Sequence, residues 1–344
     1  MEMIKICFFI GQLGLGGTEQ QLFNLITNLD RGLLDPIVIN FNSDEDAYWR
    51  KAFLNSGIKV INLPKSRGYC FRLFSLIKII RDENVKIIHT YSYHLIPFAW
   101  LAKYFTKAKL LIASIRFDPV IIKEKFNIFL RSIAFLPVDG VILNSEESFR
   151  KAKKMKIFNA PLFSVPNGVS VPEFLSGDDR ASFRKVLEIN QNDLVVGTIG
   201  RIDRNKNQTM LLTAFSQLTQ KWPQLRLLII GEGCLKDELI AHAKELNIYD
   251  KLILPGAIPQ ASRFLPLMDV FCLTSIREGM PNAVMEAQSA GVPVVSTHCD
   301  GEEELIVHGE TGYFINLNDI NALSDLIDQL LSSPDDRIRI GSLA

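Results

Sequence analysis

Short apolar runs alternate with longer amphipathic segments from one end of the chain to the other. Ile4–Ile10, Pro36–Phe41, Lys59–Leu63, Lys86–His89, Lys109–Ser114 and Gly140–Leu143 read as buried strands, with helices such as Glu19–Leu29, Phe71–Arg81 and Phe98–Phe105 between them. Phe163–Val169 interrupts the rhythm, and the stretch from Pro172 to Asp179 is rich in Pro, Gly and Asp, as linkers are. The alternation then restarts with strands Leu194–Ile199, Leu225–Ile230, Lys251–Leu254, Val270–Leu273 and Val292–Ser296 and helices Gln208–Thr219, Leu235–Leu246 and Asn282–Ala290. Strands separated by helices imply parallel sheets with right-handed crossovers. The pattern therefore predicts an α/β chain of two doubly wound, Rossmann-like domains facing a central cleft, residues 1–166 and 180–344, joined by a linker at 167–179.

In such sheets the ligand sits at the carboxyl ends of the strands. The unusual residues fall there: Gly11–Glu19 follows the first strand, Arg201–Asn207 follows Leu194–Ile199, and Gly231-Glu-Gly233 follows Leu225–Ile230. Composition narrows the partners. The 344 residues suit about two domains, and Lys+Arg and Asp+Glu both number 38, so no global field collects nucleic acid. The five cysteines are scattered, which fits reduced, buried thiols better than a disulfide framework or zinc site. No apolar stretch approaches the ~20 residues that span a bilayer, so a cytoplasmic protein, at most resting on the inner face of a membrane, is expected.

The most informative stretch is Glu278-Gly-Met-Pro-Asn-Ala-Val-Met-Glu286, which follows the strand-like run Met268–Thr274. Pro281 suits the first turn of a helix that Gly291 ends. The unpartnered N–H groups of that turn, with the helix dipole, favour a phosphate. Two carboxylates beside an anion site conflict unless the ligand also carries hydroxyls for them to accept from. A nucleotide-sugar has both.

Other motifs admit plainer readings. Gly11-Gln-Leu-Gly-Leu-Gly-Gly-Thr-Glu19 matches neither the dinucleotide fingerprint nor the ATP P-loop, and serves equally as a phosphate approach or a tight turn. Arg201 and Lys206 share one loop; as an isolated segment this is an exposed basic loop, and its place beside the anion site is what favours phosphate binding. In Asp300-Gly-Glu-Glu-Glu304 the acids read as capping residues of a helix start, with Glu302 left open. Asp44-Glu-Asp46 has the Asp-x-Asp form of some metal-dependent sugar transferases, but two acids at a helix start read as solvated caps, and no metal is predicted. His89 ends a strand and His94 opens the next helix; each is a proton carrier or a packed histidine. Arg116 also stands at a strand's carboxyl end, placed to bind phosphate or hydroxyls. The apolar stripe Ile122, Phe126, Phe129, Leu130 and Ile133, with Lys123, Lys125 and Arg131 close by, reads as a helix covering the sheet, with contact to an anionic membrane as the alternative. The four lysines of Lys151–Lys156 read as a solvated helix end.

Taken in order, these motifs resemble those of the retaining glycosyltransferases of family four, which have the GT-B architecture. The likeness covers most of the chain: Gly16–Glu19, Pro166–Val169, Gly200-Arg201 with Lys206, Ile229–Gly233, Leu254–Gly256, Glu278 to Glu286, Gly291–Val295 and Gly309–Gly312. The resemblance implies that Arg201 and Lys206 hold the donor diphosphate, Glu286 the ribose hydroxyls and Glu278 a hydroxyl of the transferred sugar. The backbone of Gly279, Met280, Pro281 and Asn282 would contact sugar and phosphates, Gly16 and Gly17 would approach from the other domain, and Gly233 and Ile258 would frame the base. It implies no metal or other cofactor, a UDP-sugar donor, and a glycan or lipid-linked glycan acceptor in surface polysaccharide synthesis. Many members carry a histidine where this chain has Ser114-Ile-Arg116; Arg116 is no base at neutral pH, so hydroxyl or acceptor-phosphate binding is expected of it, with His94 nearby. Related enzymes also continue past a segment like Leu330–Ala344 into a last helix that this chain is expected to lack. The alternatives are a nucleotide-sugar epimerase of the same architecture and a non-catalytic sugar-nucleotide-binding subunit.

Overall fold

The computed structural model describes residues 3–65, 68–120, 138–156, 158–169, 177–299 and 303–344. The chain divides into two compact units, Met1–Gly168 and Val169–Ala344. In the first, β1 (Ile4–Ile10), β2 (Leu34–Asn40), β3 (Lys59–Asn62), β4 (Ile87–Thr90), β5 (Leu110–Ile115), β6 (Gly140–Leu143) and β7 (Leu162–Ser164) form a parallel sheet of order β3-β2-β1-β4-β5-β6-β7. In the second, β8 (Leu194–Ile199), β9 (Leu225–Ile230), β10 (Leu252–Gly256), β11 (Val270–Leu273), β12 (Val294–Thr297) and β13 (Tyr313–Ile315) run in the order β10-β9-β8-β11-β12-β13. Each order reverses once, between β1 and β4 and between β8 and β11. These are the topological switch points, where strand-end loops diverge and leave a crevice.

Both sheets are buried on both faces, which is why their strands read as unbroken apolar runs rather than alternating ones. The pleat still divides each strand. In β1, Cys7 and Phe9 join one core with Ile37, Ile39, Leu76 and Ile80, while Ile6, Phe8 and Ile10 join another with Leu22 and Phe53. In the second unit, Val196, Leu227 and Cys272 face one core, and Val195, Leu228 and Phe271 the other.

The structure corrects several expectations. The interruption at Phe163–Val169 contains the edge strand β7, which pairs with β6 before Pro166 ends it. The helix Gly177–Val186 begins inside the expected linker. Pro281 is the residue before the helix Asn282–Ser289 and not part of its first turn: its ψ of 106° is extended, and it supplies a carbonyl to Val284 N–H. After β12, residues 303–305 form a turn instead of a helix start, and Glu303 meets His298 Nε2 at 2.8 Å, so its role there is not capping. Cys7, Cys272 and Cys299 are buried, but Cys70 and Cys234 are exposed, because one lies on the first turn of α3 (Tyr69–Asp82), which follows α1 (Gly17–Thr27) and α2 (Tyr48–Asn55), and the other in the loop after β9. Asp300, Glu302 and the apolar stripe from Ile122 to Ile133 lie outside the described residues. Among the described residues no helix is long and apolar enough to cross a membrane.

Candidate functional site

Two constellations form, one at each switch point. In the second unit the loops after β8 and β11 are stitched together. Asn205 Nδ2 donates to Arg277 O at 2.9 Å, Ile276 N–H donates to Asn205 O at 2.7 Å, and Thr274 Oγ1 donates to the carbonyls of Lys206 and Asn207 at 2.9 and 3.0 Å. Lys206 N–H also donates to Asp203 Oδ1 at 3.0 Å. This backbone anchoring delivers Lys206 Nζ to Glu278 Oε1 at 2.6 Å, with the side chains only 19% and 15% exposed. Just beyond, Gly279, Met280 and Pro281 are buried, and the helix Asn282–Ser289 starts with no side-chain cap. Glu286, buried, stands on that helix. A cation and a carboxylate therefore meet at one strand-end crevice, and the same loop leads directly into the helix that carries Glu286.

Arg201 is the exposed member. Its side chain is 75% exposed and 3.5 Å from Asp203, while its carbonyl accepts from Gln208 Nε2 at 2.7 Å. The loop backbone is thereby held while the guanidinium lies in solvent beside Asp203. Gly231 and Gly233 have a structural duty that their spacing did not reveal. A Cβ on Gly231 would run into the carbonyl of Gly200, and one on Gly233 into that of Ile202, so the loop after β9 can lie backbone to backbone on the Arg201–Lys206 loop. Ile258 is partly buried against the core that holds Leu228 and Ile230.

In the first unit, a cavity of about 270 Å³ opens at the β1/β4 switch point, lined among others by Gly11, Thr18, Glu19, Tyr91, His94 and Arg116. Gly16 precedes α1 (Gly17–Thr27), and Glu19 folds back over it so closely that a Cβ at Gly16 would meet the carboxylate. Arg116 is held by its neighbours: Nη1 donates to Asn167 Oδ1 at 2.5 Å, Nη2 to Tyr91 OH at 3.4 Å, and its carbon centre lies 4.8 Å from the Tyr91 ring centroid. Gln21 exchanges hydrogen bonds with the backbone of Gly168 at 2.6 and 3.0 Å. The Pro166-Asn-Gly-Val169 motif thus holds Arg116 and α1 together. His94 is exposed at the cavity, and partial desolvation lowers its pKa. Asp44, Glu45 and Asp46 bond to Asp46 N–H, Arg50 and Lys51 respectively.

His89 lies outside the cavity lining. It is buried between Phe8 and Tyr91, at ring distances of 5.4 and 4.8 Å, with Nε2 2.8 Å from Ser114 Oγ. Burial, and then the Arg116 charge, lower its pKa to about 3. It is therefore a neutral strut beneath Tyr91 and Arg116, not a proton carrier at neutral pH. Its folded-state pKa lies below the unfolded ~6.5, so the unfolded chain takes up the proton first as pH falls. We expect stability to be lost from about pH 6.5 downward, at up to ~1.4 kcal/mol per pH unit from this residue. Urea titrations at stepped pH should show a shallower acid loss in His89→Gln; identical slopes would refute the assignment.

Comparison with known proteins follows the same division. Residues 179–344 match the family model of the glycosyl transferases group 1. Over 98% of this chain and 92% of the relative, the sequence is 26% identical to the N-acetylgalactosamine-N,N'-diacetylbacillosaminyl-diphospho-undecaprenol 4-alpha-N-acetylgalactosaminyltransferase of Campylobacter jejuni. It is 25% identical to the UDP-Gal:alpha-D-GlcNAc-diphosphoundecaprenol alpha-1,3-galactosyltransferase of Escherichia coli, over 77% of this chain and 70% of that one. The fold matches Anabaena Alr3699/HepE, solved in complex with UDP and glucose, with a TM-score of 0.85 over 99% of this chain and 93% of that one at 19% identity.

Proposed function

We propose that this chain, whose residues 179–344 match the glycosyl transferases group 1 and which folds as two α/β units, moves a sugar from a UDP-sugar, with retention and without a metal, to a hydroxyl of a glycan or lipid-linked glycan. The observation that carries this reading is the meeting of Lys206 and Glu278 at the β8/β11 switch point, on the loop that runs into the helix Asn282–Ser289. The names of the Campylobacter and Escherichia relatives support a polyprenyl-diphosphate-linked acceptor, and the UDP complexes of the Anabaena protein support the base.

In this reading Lys206, Arg201 and the helix N–H groups take the diphosphate, whose charge grows as its bond to the anomeric carbon breaks. Glu286 accepts hydrogen bonds from the ribose hydroxyls and Glu278 from a hydroxyl of the sugar. The acceptor oxygen bonds to the anomeric carbon from the face that the diphosphate leaves, and its proton passes to a diphosphate oxygen. No carboxylate is needed as a base. The cations and the helix end supply the neutralisation that a metal supplies elsewhere.

A thermal-shift panel of UDP-, GDP- and ADP-sugars tests the reading. At a hundred times Kd, a bound donor stabilises by about 2.7 kcal/mol, which moves the midpoint by several degrees. The largest shift is expected with a UDP-sugar, and acceptor-dependent UDP release should follow. No shift with any of the three bases would overturn the proposal.

A further inference from the structure

We propose that the first unit carries a second anion site, made by Lys65, Arg72, Tyr69 and Asn42, that takes a phosphate or diphosphate ester group of the acceptor. This rests on the transferase reading above and names the acceptor's chemical class. The site is a cavity of about 220 Å³ lined by Asn42, Lys65, Gly68, Tyr69 and Arg72. It shares Asn42 with the larger cavity that holds Arg116 and His94. One ligand can therefore occupy both, with its hydroxyl in one cavity and its anionic group in the other.

Arg72 is the unusual member. It is only 8% exposed, and its guanidinium lies 4.6 Å from the Phe41 ring centroid and 5.9 Å from that of Tyr69. Nε donates to Pro64 O at 3.2 Å and Nη2 to Lys65 O at 2.7 Å, which fixes the plane of the fork. Nη1 is left without a partner among the described residues. A plainer role, tying down the turn before α3, explains the two carbonyl bonds. It does not explain why a second cation, Lys65, stands beside a buried guanidinium with no carboxylate lining the cavity. Among the described residues Arg72 has no ion-pair partner, although burying a charge without a counter-charge is costly; Lys65 is exposed beside it. An anionic ligand supplies the missing charge. Arg presents a planar fork to phosphate oxygens and Lys a mobile point charge. The uncapped start of α3, a helix of 14 residues with Gly68 at its N-cap, adds a further positive end.

The group recognised is a phosphate or diphosphate ester, carried either on a lipid or on a free phosphorylated glycan. The probe is inorganic pyrophosphate, titrated calorimetrically into the full chain saturated with UDP, so that the second unit's phosphate site is already filled. Binding is expected, and Lys65→Glu should weaken it at least about tenfold while leaving UDP affinity and the melting midpoint unchanged. Arg72→Lys, which keeps the charge but loses the fork, should weaken it as well. Absence of pyrophosphate binding to the UDP-saturated chain, or equal binding in Lys65→Glu, would overturn this site and leave the donor assignment standing. If UDP itself fails to bind, the donor assignment falls instead, and pyrophosphate binding that depends on Lys65 but not Lys206 still supports the site. Flotation with phosphatidylcholine vesicles, with and without phosphatidic acid, separates the sources. Lys65-dependent retention on the acidic vesicles assigns a lipid-borne phosphate, and pyrophosphate binding without retention assigns a soluble one.

Discussion

Turnover is expected to fall at least ~100-fold in Lys206→Ala, the scale of losing one donor aimed at a developing anion. The loop should survive the change, because its anchors are backbone groups: Lys206 N–H on Asp203, and the Lys206 carbonyl under Thr274 Oγ1. What changes is the charge. Nζ now stands 2.6 Å from Glu278, and its removal leaves a carboxylate facing the incoming diphosphate. Part of the loss therefore comes from repulsion by Glu278 rather than from absent stabilisation. The double variant Lys206→Ala/Glu278→Gln should recover some donor binding over Lys206→Ala while turnover stays low, since the leaving group still lacks the Lys206 cation and has Arg201 alone. Steady-state UDP release, with circular dichroism to confirm folding, measures both. Near-normal turnover in folded Lys206→Ala would end the assignment of Lys206 to the diphosphate.

Glu286 and Glu278 should separate in their effects on UDP alone. Glu286→Ala is expected to weaken UDP roughly 10- to 100-fold, since hydrogen bonds to a charged group contribute about 1.5–3 kcal/mol and each 1.4 kcal/mol is tenfold. Glu278→Gln should do the reverse. Glu278 pairs with Lys206 at 2.6 Å, so a diphosphate must compete with that carboxylate for the cation. Without the charge, UDP should bind as tightly or several-fold more tightly. The intact donor should lose its advantage over UDP, because the displaced carboxylate no longer finds a sugar hydroxyl. Titration calorimetry with UDP and the UDP-sugar resolves the two patterns. Equal losses of UDP affinity in both variants would show that the carboxylates do not divide the work between ribose and sugar.

Much of the architecture was legible because parallel strands buried on both faces must be apolar throughout. Ile4–Ile10, Leu194–Ile199, Leu225–Ile230 and Val270–Leu273 were read to the residue. The elements beyond that reading include the short edge strands β7 and β13 and the helix Tyr48–Asn55, and also the longer amphipathic helix Ile320–Ser332. The carboxylates and cations of the second unit were visible as strand-end residues. Their direct pairing was not, since Lys206 and Glu278 are 72 positions apart and meet only because β8 and β11 are neighbours. Lys65 and Arg72 carry no signal in one dimension, for in a linear sequence a lysine and an arginine near a helix start are ordinary surface residues.

By itself the sequence determined the periodicities, and with them two parallel sheets whose strand ends carry the polar and glycine-rich loops. Hydrophobic patterning is local, so it survives in one dimension. Only the tertiary structure decided which loops share a crevice, that Glu278 is already partnered by Lys206, that His89 is a buried neutral strut, and that Arg72 is buried without a counter-charge. Charge pairing and desolvation depend on distances through space, and strand order sets those distances. The stretch from Glu278 to Glu286 named the chemistry; the adjacency of β8 and β11 put a cation within its reach.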